Sequence, residues 1–278
     1  MTKPLALIIG ADGHLGAYLA RLLDARGHAV VATETGMAQE AFSALGITDS
    51  VEALTDDAAL DTAAAAANAV YAIADGTGGR DAIIDSVVER ISGLSRPPRL
   101  IHVAELANLP AQASTRRRIG ALAVLRSERR LPMATALLHA HDSRLGSAHS
   151  LPARIVAQLH AAAQGEAPPP LEIEDPGPAD WGWTAEYVDA LSRLAAMERP
   201  VDSQVMSGAT LNVAEMMAHA GQYFRVDPTG LFVIRGVAAP VPSPAVSLAG
   251  VAGWRAMTIG KDLVQTWCEG AASRFAAW

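Results

Sequence analysis

Seven residues near the start of the chain, Gly10-Ala11-Asp12-Gly13-His14-Leu15-Gly16, spell G-x-x-G-x-x-G between a short apolar run and an apolar-periodic one. In that setting each glycine has a task. Gly10 permits a tight turn, Gly13 lets the backbone approach a pyrophosphate, and Gly16 lets a helix pack closely on a strand. His14 and Leu15 open the helix, whose free N–H groups face the anion. Glu34 ends the second apolar run, where a carboxylate accepts hydrogen bonds from a ribose 2′-OH and repels a 2′-phosphate. No arginine lies within 32–38 to hold such a phosphate, so NAD is expected, with NADP the second choice.

Other reactive side chains are sparse. Glu105 closes the fifth apolar run and reads either as a base in a cleft or as a solvated strand-end carboxylate. His139, His141 and the adjacent Asp142 superficially suggest a metal site, but no third ligand follows at suitable spacing, so no metal is expected. Ser143 and Ser147 lack a G-x-S-x-G elbow, which removes support for serine hydrolase chemistry. Cys268 is the single cysteine, leaving neither a disulfide framework nor a cysteine-based metal site.

The elements that must position these residues alternate. Leu5–Ile9 is short, continuous and apolar, as a buried parallel strand requires. Leu15, Leu19, Leu22 and Leu23 then carry helical spacing up to Gly27, and 29–33 is the next strand. Strands are expected at 50–54, 69–74 and 100–104, with helices near 57–67 and 80–94. The helix over 80–94 has Ile83, Ile84, Val87, Val88, Ile91 and Leu94 on one face. This alternation implies an α/β fold, a Rossmann doubly wound parallel sheet. A change of texture, with proline-rich stretches at 167–170 and 175–178, divides residues 1–165 from a smaller C-terminal lobe at 166–278 that should contain short helices.

Composition bounds the function. The chain of 278 residues is 50% apolar and 18% charged, which is globular, and its net charge of −7 gives no reason to expect nucleic acid. The densest basic run, Arg116–Arg118 with Arg126, Arg129 and Arg130, reads as a solvated helix face or an interface. The first apolar run is too short for the core of a signal peptide, and no apolar run reaches the about 18 residues of a membrane span. A cytoplasmic protein is expected, with no membrane partner.

The glycine-loop spacing resembles that of the short-chain dehydrogenase/reductases, and further segments resemble the GDP-mannose 4,6-dehydratases of the extended branch (the NAD-dependent epimerase/dehydratases). Ala53-Leu54-Thr55-Asp56 is similar to D-L-T-D, which implies a cofactor contact at Leu54. Residues 134–144 resemble A-T-N-G-I-L-F-N-H-E-S-P-R, and His141 falls where that family has a cofactor-side histidine; a hydrogen-bonded structural histidine is the alternative. Asp180-Trp181-Gly182-Trp183 with Glu186-Tyr187-Val188-Asp189-Ala190 resembles R-D-W-G-x-A-x-D-Y-V-E-A, the most specific of these matches. Residues 206–215 are similar to A-T-G-E-T-H-S-V-R-E, and Gly253-Trp254-Arg255 to a closing L-G-W-x-P-x-T. The resemblance implies a nucleotide-sugar ligand, hydride transfer through the dinucleotide, and a homo-oligomer paired through the helices at 80–94 and 114–130.

One departure is sharp. The chain has two lysines, Lys3 and Lys261, and four tyrosines, and no tyrosine is followed four residues later by a lysine. The family's S-P-Y-A-V-S-K falls on 109–115, where the tyrosine is replaced by Ala111 and the lysine by Thr115. Oxidising a sugar hydroxyl needs a base to take its proton as hydride leaves, and neither replacement provides one. Val103 and Ala104 replace hydroxyl residues before Glu105, the segment after it is short, and Asp75-Gly76-Thr77 alters the nicotinamide side. Two readings follow: a non-catalytic dinucleotide-binding partner of an active dehydratase paralogue, or an enzyme using a non-standard base, Glu105 first and His102 second.

Overall fold

The computed structural model describes residues 2–33, 36, 39–75, 78–106, 113–237 and 253–275. Its main sheet contains β1 (Leu5–Ile9), β2 (Ala29–Ala32), β3 (Val51–Ala53), β4 (Ala69–Ile73), β5 (Arg99–Glu105), β6 (Met133–Leu138) and β10 (Ser203–Val205). The order β10-β6-β5-β4-β1-β2-β3 is parallel throughout, so the expected doubly wound sheet is present. Strand order reverses between β1 and β4, which pair from Ala6–Ala69 to Ile9–Ala72. In open α/β sheets a crevice forms at such a reversal, outside the carboxyl ends of the strands.

The central strands β1, β2 and β4 are apolar because helices cover both faces. On one face Leu7, Ile9, Val70, Ala72 and Leu100 pack against α3 (Asp57–Ala66) and α4 (Gly78–Ser92). Ile84, Val87, Val88 and Ile91 of α4 are buried there, each contributing about 1.5–3 kcal/mol. Much of the apolar face expected of this helix thus packs on the sheet. Asp56 starts α3 by accepting a hydrogen bond from the Ala59 N–H at 2.8 Å, an N-cap. The other face includes α1 (His14–Ala25) and α7 (Thr184–Ala196), joined by Arg26, which donates to Ser192 and to the carboxylate of Asp189. Tyr71 of β4 also bonds Ser192, and burial pushes its phenol up to about 12.

Two further helices complete the set at the sheet, α2 (Gln39–Leu45) and α5 (Ala113–Arg129). By compactness the chain forms two units. The first is Met1–His139, Tyr187–Val205 and Pro244–Arg255; the second is Ala140–Glu186, Met206–Ser243 and Ala256–Trp278. The chain thus passes between units repeatedly, where composition suggests one break after 165.

The second unit holds more strand than the short helices expected of it. β7 (Ala140–Asp142) pairs with β9 (Ala179–Trp183), which pairs with β11 (Thr210–Leu211); β8 (Leu171–Asp175) pairs with β12 (Phe232–Val237). In β8 the buried Ile173 alternates with exposed Glu172 and Glu174, the period of a strand with one covered face. α6 (Leu151–Ala163), α8 (Val213–Phe224) and α9 (Gly260–Phe275) enclose a core that includes Leu159, Met216, Leu263, Trp267 and Cys268. Among the described residues no helix is long and apolar enough to cross a membrane.

Candidate functional site

The glycine loop leaves β1 at the strand-order reversal and enters α1. Thr33, just past β2, holds its first half: the Gly10 N–H donates to Thr33 Oγ1 at 3.2 Å and the Ala11 N–H to the Thr33 carbonyl at 3.2 Å. Gly10 has φ of +84°, and a Cβ there would lie 2.9 Å from the Ile73 carbonyl oxygen. A Cβ on Gly16 would lie 2.6 Å from the Ala11 Cα. Both positions require glycine for the chain's own packing.

Gly13 differs. Its φ is −98° and a Cβ would meet nothing within 4 Å, so any L-residue fits the backbone and the space. It is the N-cap of α1 and supplies no side-chain hydrogen bond to the first turn. Between these helix N–H groups and the open face of Gly13 the loop presents a bare, partly positive backbone surface suited to an anion. Leu15 is buried in the packing of α1 and His14 is half-buried beside it.

Three charged groups meet at the loop. Asp12 within it and Asp75 beyond β4 both pair with Arg80 in the first turn of α4, at 2.6 and 3.1 Å. Thr33 and Arg80 were not singled out in the sequence. Thr33 carries only the signal of a hydroxyl at a strand end, and Arg80 that of a cation opening an otherwise apolar helix face. Leu54 follows β3, half-buried, with its N–H bonded to the Ala32 carbonyl at 2.8 Å.

Several expected site residues lie outside the described ones: Glu34, Gly76, Thr77 and Ala111. Thr115 is described and fully buried on α5. Arg118, one turn on, is bound by Asp81 and Asp85 of α4. Glu105 ends β5 exposed to solvent. His102 is fully buried in the same strand, and burial together with the nearby Arg118 charge lowers its imidazole to about 4.

His139 and His141 have separate partners: His139 Nε2 contacts Gln204 Oε1 at 2.7 Å, and His141 Nδ1 contacts Thr184 Oγ1 at 3.0 Å. Among the described residues no three His, Cys, Asp or Glu side chains come together as a metal site. The segments that carry the family resemblance have structural duties. The Asp180 carboxylate accepts the Ser207 and Gly208 N–H groups, both at 2.7 Å, joining two of those segments. Glu215 completes a capping box with Asn212 at the start of α8.

No family model matches the sequence, and no curated protein matches it. Solved structures match its fold. They include epimerase Mth375 from Methanothermobacter thermautotrophicus, with a TM-score of 0.77, 12% identity and coverage of 99% of this chain and 94% of that one. The enzyme WbmF from Bordetella bronchiseptica, in complex with NADH, has a TM-score of 0.74, 15% identity and coverage of 99% and 94%. A dTDP-glucose 4,6-dehydratase from Bacillus anthracis, in complex with NAD, has a TM-score of 0.78, 8% identity and coverage of 99% and 98%. At such identities the likeness is one of fold, over nearly the whole of each chain.

Proposed function

We propose that this protein is an NAD-binding member of the extended short-chain dehydrogenase/reductases, similar to GDP-mannose 4,6-dehydratase, that takes a nucleotide sugar and has a degenerate catalytic site. One observation carries the dinucleotide reading. Gly10 and Gly16 are glycine for the chain's own sake, whereas Gly13 has room and backbone geometry for any residue. A glycine the fold does not need, on an uncapped helix N-terminus at the strand-order reversal, is explained by a ligand that needs the space. WbmF and the B. anthracis dehydratase, which share this fold, were crystallised with NADH and NAD.

Bound there, NAD would supply a hydride acceptor. The chain's own residues do the rest: Gly13 and the first turn of α1 receive the pyrophosphate, Thr33 fixes the loop, and Glu34 selects the free ribose 2′-OH. What the chain lacks is a base. Ala111 and Thr115 stand where the resembling family has tyrosine and lysine, and Arg118 is engaged by Asp81 and Asp85. General acid–base assistance is worth about 10²–10⁴-fold in rate, so turnover by the ordinary route is impaired by about that factor. The role that fits is a binding partner of an active paralogue, as a homo-oligomer or with that paralogue.

Fluorescence titration of the purified protein with NADH and NADPH tests the cofactor assignment. NADH should bind at least as tightly as NADPH. A clear NADPH preference overturns the role of Glu34, and binding of neither overturns the dinucleotide reading.

A further inference from the structure

The three charges around the glycine loop have a consequence for binding. Arg80 is 5% exposed, although it stands at the mouth of the crevice between the carboxyl ends of β1 and β4. Its Nη2 lies 2.6 Å from Asp12 Oδ2 and its Nη1 lies 3.1 Å from Asp75 Oδ2. Its Cδ and Cζ lie 3.0 Å from the place a Gly10 Cβ would take, so the side chain runs along the bare face of that glycine. Gly10 thus serves both the turn and the passage of Arg80. Asp12 and Asp75 are each more than a quarter exposed, so both carboxylates reach the solvent-facing side of the crevice.

Two carboxylates at a pyrophosphate site are unfavourable. A pyrophosphate held at this loop would add two negative charges beside them, in a cleft where screening is incomplete. Arg80 pairs with both carboxylates at once and reduces their joint charge from −2 to −1. Its forked guanidinium can hold two carboxylates together.

Resting on the dinucleotide reading above, we propose that Arg80 is a positioning residue for the pyrophosphate. By clamping Asp12 and Asp75, it converts an anion-repelling crevice into one that accepts a dinucleotide. Asp12 is then tolerated inside the glycine loop only because Arg80 accompanies it.

NADH titration of four proteins tests this: wild type, Arg80→Gln, Asp12→Asn/Asp75→Asn, and the triple variant. Arg80→Gln should weaken NADH binding about 10- to 100-fold at low salt, and the loss should shrink at 1 M NaCl, where the screening length is about 3 Å. The triple variant should recover most of the affinity, which a merely structural role for Arg80 does not predict. Should Arg80→Gln fail to fold, Arg80→Lys, which keeps the charge, should bind within several-fold of wild type; a Lys variant that folds and binds as weakly as a charge-free site overturns the proposal. Arg80→Gln binding as wild type or tighter overturns it, since the side chain would then be an obstruction. Absence of recovery in the triple variant overturns it too. Wild-type protein that binds no NADH instead sinks the underlying dinucleotide reading, and the inference falls with it.

Discussion

Arg118 and Asp81 form a buried ion pair, Nη1 to Oδ1 at 2.8 Å, that ties α5 to α4 beside the sheet. The guanidinium also holds Asp85 through two further hydrogen bonds at 2.7 and 3.0 Å, so it is satisfied on both edges. Removing the cation leaves Asp81, 9% exposed, as an uncompensated buried charge. Arg118→Met should therefore destabilise the fold by about 3 kcal/mol, the lower end for breaking a buried pair. Urea unfolding should show this as a lower midpoint with unchanged slope; a wild-type midpoint contradicts the assignment.

His102 predicts an acid-side stability loss. It has no hydrogen-bond partner among the described residues, and it faces Arg118 on α5, Asp81 and Asp85 on α4, and Asp202. Burial lowers its pKa to about 4, so the folded protein keeps it neutral while the unfolded chain protonates near pH 6.5. Between these values the unfolded state binds the extra proton. The stability from His102 is therefore complete above about pH 6.5 and is lost as pH falls toward 4, by about 3 kcal/mol in all. His102→Leu should flatten the stability profile across that window. An unchanged slope means that His102 is not the group responsible.

Much of this fold is legible in the sequence. Continuous apolar runs found β1, β2 and β4, because a strand covered on both faces has no polar alternation to confuse with anything else. The glycine loop declared itself by its place between strand and helix. The lobe strands were harder. β8 is a five-residue alternation framed by proline-rich segments, and β7 and β11 are only three and two residues long. Their pairing is set by distant segments rather than by local pattern. Arg80 was unreadable for the same reason: its partners Asp12 and Asp75 come from other loops, and only the fold brings them together.

The missing base leads to a prediction about turnover. Incubated with NAD and GDP-mannose, the purified protein should form 4-keto-6-deoxy product at least about 10²-fold more slowly than an active dehydratase. Product analysis by mass spectrometry after prolonged incubation decides this. Robust turnover contradicts the degenerate-site reading; its loss in Glu105→Gln would then identify the exposed carboxylate at the end of β5 as the base.

If the glycine loop exists for a dinucleotide, Gly13 and Gly16 must respond differently to an added methyl group. Gly16→Ala forces a Cβ to 2.6 Å from the Ala11 Cα and should cost about 1–3 kcal/mol of stability. Gly13→Ala meets nothing within 4 Å and should leave the melting temperature near that of wild type. On the dinucleotide reading its methyl group would nevertheless stand in the pyrophosphate's way. NADH titration of Gly13→Ala at unchanged stability is thus the decisive measurement. The account predicts an affinity at least about tenfold weaker than wild type, a loss of about 1.4 kcal/mol or more. A stable Gly13→Ala variant that binds NADH as wild type does would contradict it.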